Sequence, residues 1–335
     1  VHQDLLDALK KLENKLSEAR VKRGLLSARH QRALAQKKIQ SAFEKGDSST
    51  AFESLARLEA HVEDMEAHSS AMAELGEGGD AIVSKTFDTA QSRVVAVKAL
   101  KGASDGARRL FQREGRLIGY LDHPGIVPIY DDFLGKDDAP SYALKLLDGE
   151  TLGARLGYQA GRRARALSVA EALLIFTRVA ETLAFAHDRG VVHLDLKPDN
   201  IMLGRYGEVL LMDWGNARLF DPAPYRAYLG EHASEEDVAL LVDEPPDLLS
   251  GTPHFMAPEQ TARPRSTQGP AADIFSAGVL LYLMLTGEVP FHGDELPALF
   301  KAIQTEPTPP LRFRNPEISE RLAAIAESLL AKEEA

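Results

Sequence analysis

Three chemically active groups lie within six residues in Asp195-Leu196-Lys197-Pro198-Asp199-Asn200. Asp195 offers a proton acceptor, Lys197 a cation and Asn200 a neutral oxygen donor. Another carboxylate follows in Met212-Asp213-Trp214-Gly215. Far upstream, Lys98 sits alone inside the β-type run Arg93-Val94-Val95-Ala96-Val97-Lys98-Ala99-Leu100. Burying its ammonium costs several kcal/mol unless it is paired, so the position demands an anionic partner. Before it runs Leu75-Gly76-Glu77-Gly78-Gly79-Asp80-Ala81-Ile82-Val83. Residues without a Cβ, here Gly76, Gly78 and Gly79, let backbone N–H groups approach phosphate oxygens. Taken alone, that glycine run reads equally well as an interdomain linker. Thiol chemistry, disulfides and thiolate metal sites are excluded, because the chain has no cysteine.

The elements that must position these groups are visible as patterns. Phe111-Gln112-Arg113-Glu114 falls in a predicted helix with Leu110, Leu117 and Leu121 on its inner face. A helical Glu alone is an ordinary solvated residue. The place of Glu114, between the Lys98 strand and His123-Pro124-Gly125-Ile126-Val127, makes it the natural partner of Lys98. Ser168-Val169-Ala170-Glu171 has the form of a capping box and opens an apolar helix through Leu173, Ile175, Val179, Leu183 and Ala186. A second apolar stretch, 277–286, is too short to span a bilayer.

Val192-His193-Leu194-Asp195-Leu196-Lys197-Pro198-Asp199-Asn200-Ile201 resembles the catalytic loop of protein kinases. Val95-Ala96-Val97-Lys98 and Met212-Asp213-Trp214-Gly215 resemble two further kinase motifs, the second with Trp214 for the commoner Phe. Gly251-Thr252-Pro253, Met256-Ala257-Pro258-Glu259 and Asp273-Ile274-Phe275-Ser276-Ala277-Gly278 follow in kinase order. Residues 73–330 therefore resemble a bacterial eukaryotic-type Ser/Thr protein kinase. The resemblance implies an α+β, bilobal fold, with a small lobe over 73–147 and a large lobe over 148–335. It also implies ATP and Mg²⁺ as cofactors and protein hydroxyls as substrates. Phosphoryl transfer needs positioning and charge neutralisation more than covalent help. On this reading Asp195 accepts the substrate proton, Lys197 neutralises the γ-phosphate, and Asn200 and Asp213 bind the metal. Lys98, paired with Glu114, holds the α/β-phosphates. Thr252 bonds the catalytic Asp and Lys, and with Lys197 favours Ser/Thr over Tyr. Gly76, Gly78 and Gly79 cover the phosphates. Val83 and Ala96 wall the adenine, with Met202 or Leu211 below it. Leu146 and Leu147 bond its edge, and Leu144 is the gatekeeper. By position alone each of these apolar residues is plain core.

Three departures from the pattern carry expectations. Ala81 replaces the third glycine. Leu194 stands where an Arg commonly reads a phosphate on the activation segment, which implies activity without that phosphate. The activation segment, Asp213 to Glu259, is long, and its acidic middle, 231–237, is predicted to be mobile. The chain stops at Ala335, before the segment that supplies the usual Arg partner of Glu259, so a C-terminally truncated large lobe is expected.

The first 72 residues read differently. Leu5, Leu9, Leu12, Leu16 and Ala19 alternate spacings of four and three, one stripe of a helix. Gly46 offers a stop, Thr50-Ala51-Phe52-Glu53 a new capping box, and Leu55, Leu58, Val62, Met65 and Met72 a second stripe. An antiparallel coiled-coil hairpin over 1–72 is predicted. Leu12-Glu13-Asn14-Lys15-Leu16-Ser17-Glu18-Ala19-Arg20, Arg29-His30-Gln31, Ala51-Phe52-Glu53 and Met65-Glu66-Ala67 resemble the phage-shock protein A family. That resemblance implies homo-oligomeric assembly, phage-shock-type partners and peripheral association at the inner face of the cell membrane. The family's membrane-inserting first helix would lie before Val1. A kinase fold that binds nucleotide without turnover, serving as a scaffold in such an assembly, is the competing reading.

Net charge is −11, and residues 1–75 hold as many basic as acidic side chains, so the excess lies beyond them. Such a balance argues against nucleic-acid binding. The start lacks both Met and a basic-then-apolar leader, which predicts a fragment or a processed chain without a signal peptide, and the absence of cysteine fits a reducing cytoplasm.

Overall fold

The computed structural model describes residues 73–78, 81–89, 91–101, 104–135, 139–160, 162–230, 234–242, 251–262 and 268–332. The predicted hairpin over 1–72 lies outside the described residues, as do Gly79 and the stretch 231–233.

The described residues fall into two compact units, one within 73–101 and 131–146, the other within 104–130 and 147–332. The first unit is built on a five-stranded sheet ordered β1-β2-β3-β5-β4. Its strands are β1 (Ala73–Gly78), β2 (Ala81–Asp88), β3 (Arg93–Leu100), β4 (Ile129–Leu134) and β5 (Pro140–Lys145). Here β2 and β3 pair without a break from Ala81↔Leu100 to Asp88↔Arg93. The Asp88 carboxylate closes that hairpin, accepting from Gln91 N and Arg93 Nε, both at 3.1 Å. Val95 and Val97, two apart and so on one face, bury against Ala143. The glycine run is part of this sheet: Gly76 pairs Val83 and Gly78 pairs Ala81, after a register shift between Glu74 and Gly76. Residues 73–78 are thus an edge strand, which removes the linker reading for them.

In the second unit the chain forms α1 (Asp105–Tyr120), β6 (Gly149–Thr151), α2 (Leu152–Leu156), α3 (Val169–Asp188), β7 (Val191–Val192), β8 (Ile201–Gly204), β9 (Val209–Leu211) and β10 (Arg218–Leu219). The helices α4 (Ala223–Leu229), α5 (Glu235–Val242), α6 (Pro258–Ala262), α7 (Pro270–Thr286), α8 (Leu296–Thr305), α9 (Leu311–Arg314) and α10 (Glu320–Leu329) complete it. The starts of the long helices are chemical. Ser168 Oγ accepts from Glu171 N at 3.2 Å, as the capping box predicts, and Ser104 Oγ does the same for α1 from Ala107 N. Helix α7 is buried almost throughout, from Ala272 to Thr286. That explains its near-continuous apolar sequence: a helix enclosed on all sides has no polar face to keep. It ends at Gly287, whose φ of +76° and close approach to the Ala164 carbonyl leave no room for a Cβ.

Residues 235–237 of the acidic stretch form the first turn of α5. The helix forms because Val238 and Leu241, three apart, bury against the unit's core.

Candidate active site

Short strand pairs bring the polar loops together. Residues 193–200 run from β7 to β8, and 212–217 run from β9 to β10. Both ends are tied, since Val192 pairs Arg218 and Ile201 pairs Leu211. Met212 N donates to Asn200 O at 2.8 Å, so the two loops lie side by side at the residues read as metal ligands.

Asp195 is the hub of the first loop. Its carboxylate is nearly buried, at 6% exposure for the residue. Oδ1 accepts from Thr252 Oγ1 at 2.9 Å. Oδ2 accepts from Lys197 Nζ at 2.9 Å and from Asn200 Nδ2 at 3.4 Å. Asn200 Nδ2 also donates to the Asp195 carbonyl at 2.9 Å. That turns the amide nitrogen into the loop and presents the other amide atom, Oδ1, as an oxygen donor. Thr252 reaches Asp195 because Gly251, with φ +118°, turns the chain beside the Leu194 carbonyl.

Asp213 adopts the left-handed region, φ +60° and ψ +70°. For a non-glycine residue this conformation costs about 1–3 kcal/mol and recurs where function demands it. Trp214 beneath it is 1% exposed and meets the His193 ring edge-on at 4.7 Å between centroids. The α1 helix packs against residues 214–216. A Cβ built on Gly215 would lie 3.4 Å from Asp213 Oδ1 and 3.7 Å from Glu114 Oε2, so these two carboxylates flank one point. The Asp213 carboxylate and the Asn200 amide oxygen are hard donors of the kind that suits Mg²⁺, which takes one or two protein carboxylates and completes its shell with phosphate and water.

Lys98 belongs to the first unit. Half-buried rather than enclosed, it is registered on β3 opposite Val83 and Tyr142, with Nζ 5.9 Å from the Tyr142 ring centroid. Also in that unit, Ala96 is buried opposite Leu144, while Val83, Leu144 and Leu146 are half-buried. In the second unit Leu147 and Met202 are half-buried and Leu211 is buried.

Asp273 and Gln260 hold the catalytic loop, and sequence reading gave neither a role. Asp273, at 0% exposure, accepts from His193 N and Leu194 N, each at 2.8 Å, and meets His187 Nε2 at 2.9 Å. Gln260 Nε2 donates to the Leu194 carbonyl at 2.9 Å. His193 Nδ1 accepts from Asp195 N at 3.3 Å, which leaves Nε2 to donate to Met212 O at 3.1 Å. A signal for Asp273 existed: a charged residue heading an apolar helix must find partners inside.

Comparison with known proteins gives two family matches. The protein kinase domain model matches residues 69–335. The PspA/IM30 family model matches residues 2–114. Within their overlap, β1, β2 and β3 lie in the five-stranded sheet. The chain is similar to the serine/threonine-protein kinase PknD of Protochlamydia amoebophila, 29% identical over 282 residues, which is 77% of this chain and 27% of that protein. It is 32% identical over 266 residues to the PknD of Chlamydia pneumoniae, covering 77% of this chain and 28% of that one. The match to Chlamydia abortus PknD is 32% over 241 residues, 66% and 24% of the two chains. The chain thus spans about a quarter of the length of these relatives.

Proposed function

The chain belongs to the protein kinase domain family, and from that premise we propose that it transfers the γ-phosphate of ATP to Ser or Thr hydroxyls of proteins. The observation that carries the reading is the Asp195 carboxylate, held by Thr252, Lys197 and Asn200. A carboxylate so fixed can orient an incoming hydroxyl and take its proton without searching for a geometry. Lys197 sits where it can meet both Asp195 and the transferring group. The proposed metal ligands are Asn200 and Asp213. For the nucleotide we propose Lys98, backed by Glu114, at the phosphates, Gly76, Gly78 and Gly79 over them, and Val83, Ala96, Leu146 and Leu147 around the base. When bound, Mg²⁺ would neutralise phosphate charge as it develops. The names of the relatives, the bond from Thr252 to Asp195 and the presence of Lys197 two residues on support Ser/Thr as acceptor.

The family match over 2–114 supports a second component. The proposed organisation is a helical hairpin over 1–72, a small lobe over 73–147 and a large lobe over 148–335. The hairpin would assemble the protein with itself or with phage-shock-type partners, and so recruit it to the inner face of a membrane. No described helix is long and apolar enough to cross one. Clustering through the hairpin would raise local kinase concentration and favour phosphorylation in trans.

The test is transfer of label from radioactive ATP to a generic basic protein, followed by phosphoamino-acid analysis. Asp195→Asn should lower the rate roughly 10²–10⁴-fold while nucleotide binding persists. Equal label from both proteins would mark a contaminant and end the reading. Binding of nucleotide without transfer by either would favour the scaffold.

A further inference from the structure

Between Gly215 and Gly251 the second unit carries helices α4 and α5, and both meet α1 or its immediate supports. Helix α5 packs on α1 and on β10. From α4, Tyr225 and Tyr228 project from one face, three residues apart. Both meet Tyr120, the last residue of α1. The Tyr225 ring stands edge-on to Tyr120 at 4.9 Å and 80°, and the Tyr228 ring at 5.1 Å and 62°. Arg189, just past α3, closes the cluster. Its guanidinium lies 5.5 Å from the Tyr120 ring, 5.9 Å from Tyr228 and 5.1 Å from Phe185, and its carbonyl accepts from Tyr120 Oη at 3.1 Å. Tyr120 and Tyr225 are buried, at 3% and 4%, while Tyr228 is 59% exposed and forms the outer jaw.

We propose that Tyr225, Tyr228 and Arg189 clamp Tyr120 and so position α1, and with it Glu114, without a phosphate on the activation segment. The proposal rests on the kinase reading above and assigns the regulation of that site. Glu114 and Tyr120 share one rigid helix, about 9 Å apart along its axis at 1.5 Å per residue. Whatever fixes Tyr120 therefore fixes how Glu114 meets Gly215 and Asp213. The residue that would read a phosphate is Leu194, and its side chain is core, 2% exposed. The rings supply the link between activation segment and α1 that a phosphate bridge would otherwise supply. Aromatic edge contacts and cation–π contacts need no modification to form. Displacing α4, by a partner that takes Tyr228 or by a modification there, would release α1.

The test uses the full chain, with amide hydrogen exchange as the readout. In Tyr225→Ala and in Arg189→Ala, exchange across 105–120 should quicken about tenfold or more while 270–286 stays protected. The turnover number should fall with KM for the acceptor little changed, and Tyr225→Phe should restore both. Phosphatase treatment of the wild type should leave 105–120 protected. If Tyr225→Ala also loses protection in 270–286, that variant has lost the unit, and Tyr228→Ala, at an exposed ring, decides instead. Wild-type protection of 105–120 in the Arg189 and Tyr228 variants would overturn the clamp. So would loosening of 105–120 by phosphatase alone. A wild type that transfers no phosphate would sink the kinase reading, yet the exchange data would still decide the clamp.

Discussion

Thr252 Oγ1 donates to Asp195 Oδ1 at 2.9 Å, across 57 positions of sequence. The end of the activation segment is thereby bonded to the proposed proton acceptor, and the two cannot be displaced independently. Replacing Thr252 by Val keeps the shape and removes the donor. A hydrogen bond to a charged group contributes about 1.5–3 kcal/mol, so the turnover number should fall roughly 10–100-fold. Thr252→Ser keeps the hydroxyl and should stay within a few-fold of wild type. Single-turnover phosphorylation of a peptide measures both.

Asp273 is predicted to matter for stability before chemistry. Its buried carboxylate takes two buried backbone N–H groups of the catalytic loop and the part-buried His187 ring. Asp273→Ala leaves two buried donors unpaired, which costs about 1–3 kcal/mol each. The denaturant midpoint should drop accordingly with the slope unchanged. Asp273→Asn, which retains one acceptor oxygen, should fall between. A midpoint equal to wild type would show that the loop finds other acceptors.

Leu194→Arg tests whether the missing phosphate reader is merely a substitution. Its side chain lies in the core and its φ is +63°. An unpaired guanidinium there should cost at least about 3 kcal/mol. The expected outcome is a lower unfolding midpoint and no gain of activity on autophosphorylation. A stable variant whose activity becomes phosphate-dependent would contradict the packing argument.

His254 sets a pH dependence in the turn after Thr252. Burial, and then the charge of His292, lower its pKa from the usual histidine value. In the unfolded chain it takes a proton near pH 6.5, so below that value the unfolded state binds more protons than the folded one. Stability should therefore be full above about pH 6.5 and fall as acidity rises toward the depressed folded value. His254→Gln should lose less of its midpoint than wild type between about pH 7.5 and about pH 5.5. Equal losses would assign the pH effect elsewhere.

Much of the site was legible from residue order alone. Asp195, Lys197, Asn200 and Asp213 stand out because few other roles need those groups at those spacings. The start of α3 was legible too, since Ser168 acts on a backbone group three residues away. The helix turn at 235–237 was not read from sequence, because acidity outweighed the apolar pair Val238 and Leu241 that seats it. The glycine run stayed ambiguous because its strand pairs only once β2 is beside it.

Sequence by itself determined the chemical inventory: which oxygens, which ammonium, and in what order. It also determined the local conformations that short-range bonds and side-chain periodicity select. Tertiary structure alone decided that Asp273 carries the backbone of a loop 80 positions away, and that Tyr120 sits between two rings of α4. The reason is physical. A hydrogen bond or ring contact between distant residues leaves no periodicity in the chain. It forms only after burial of apolar surface has brought the partners within a few ångströms.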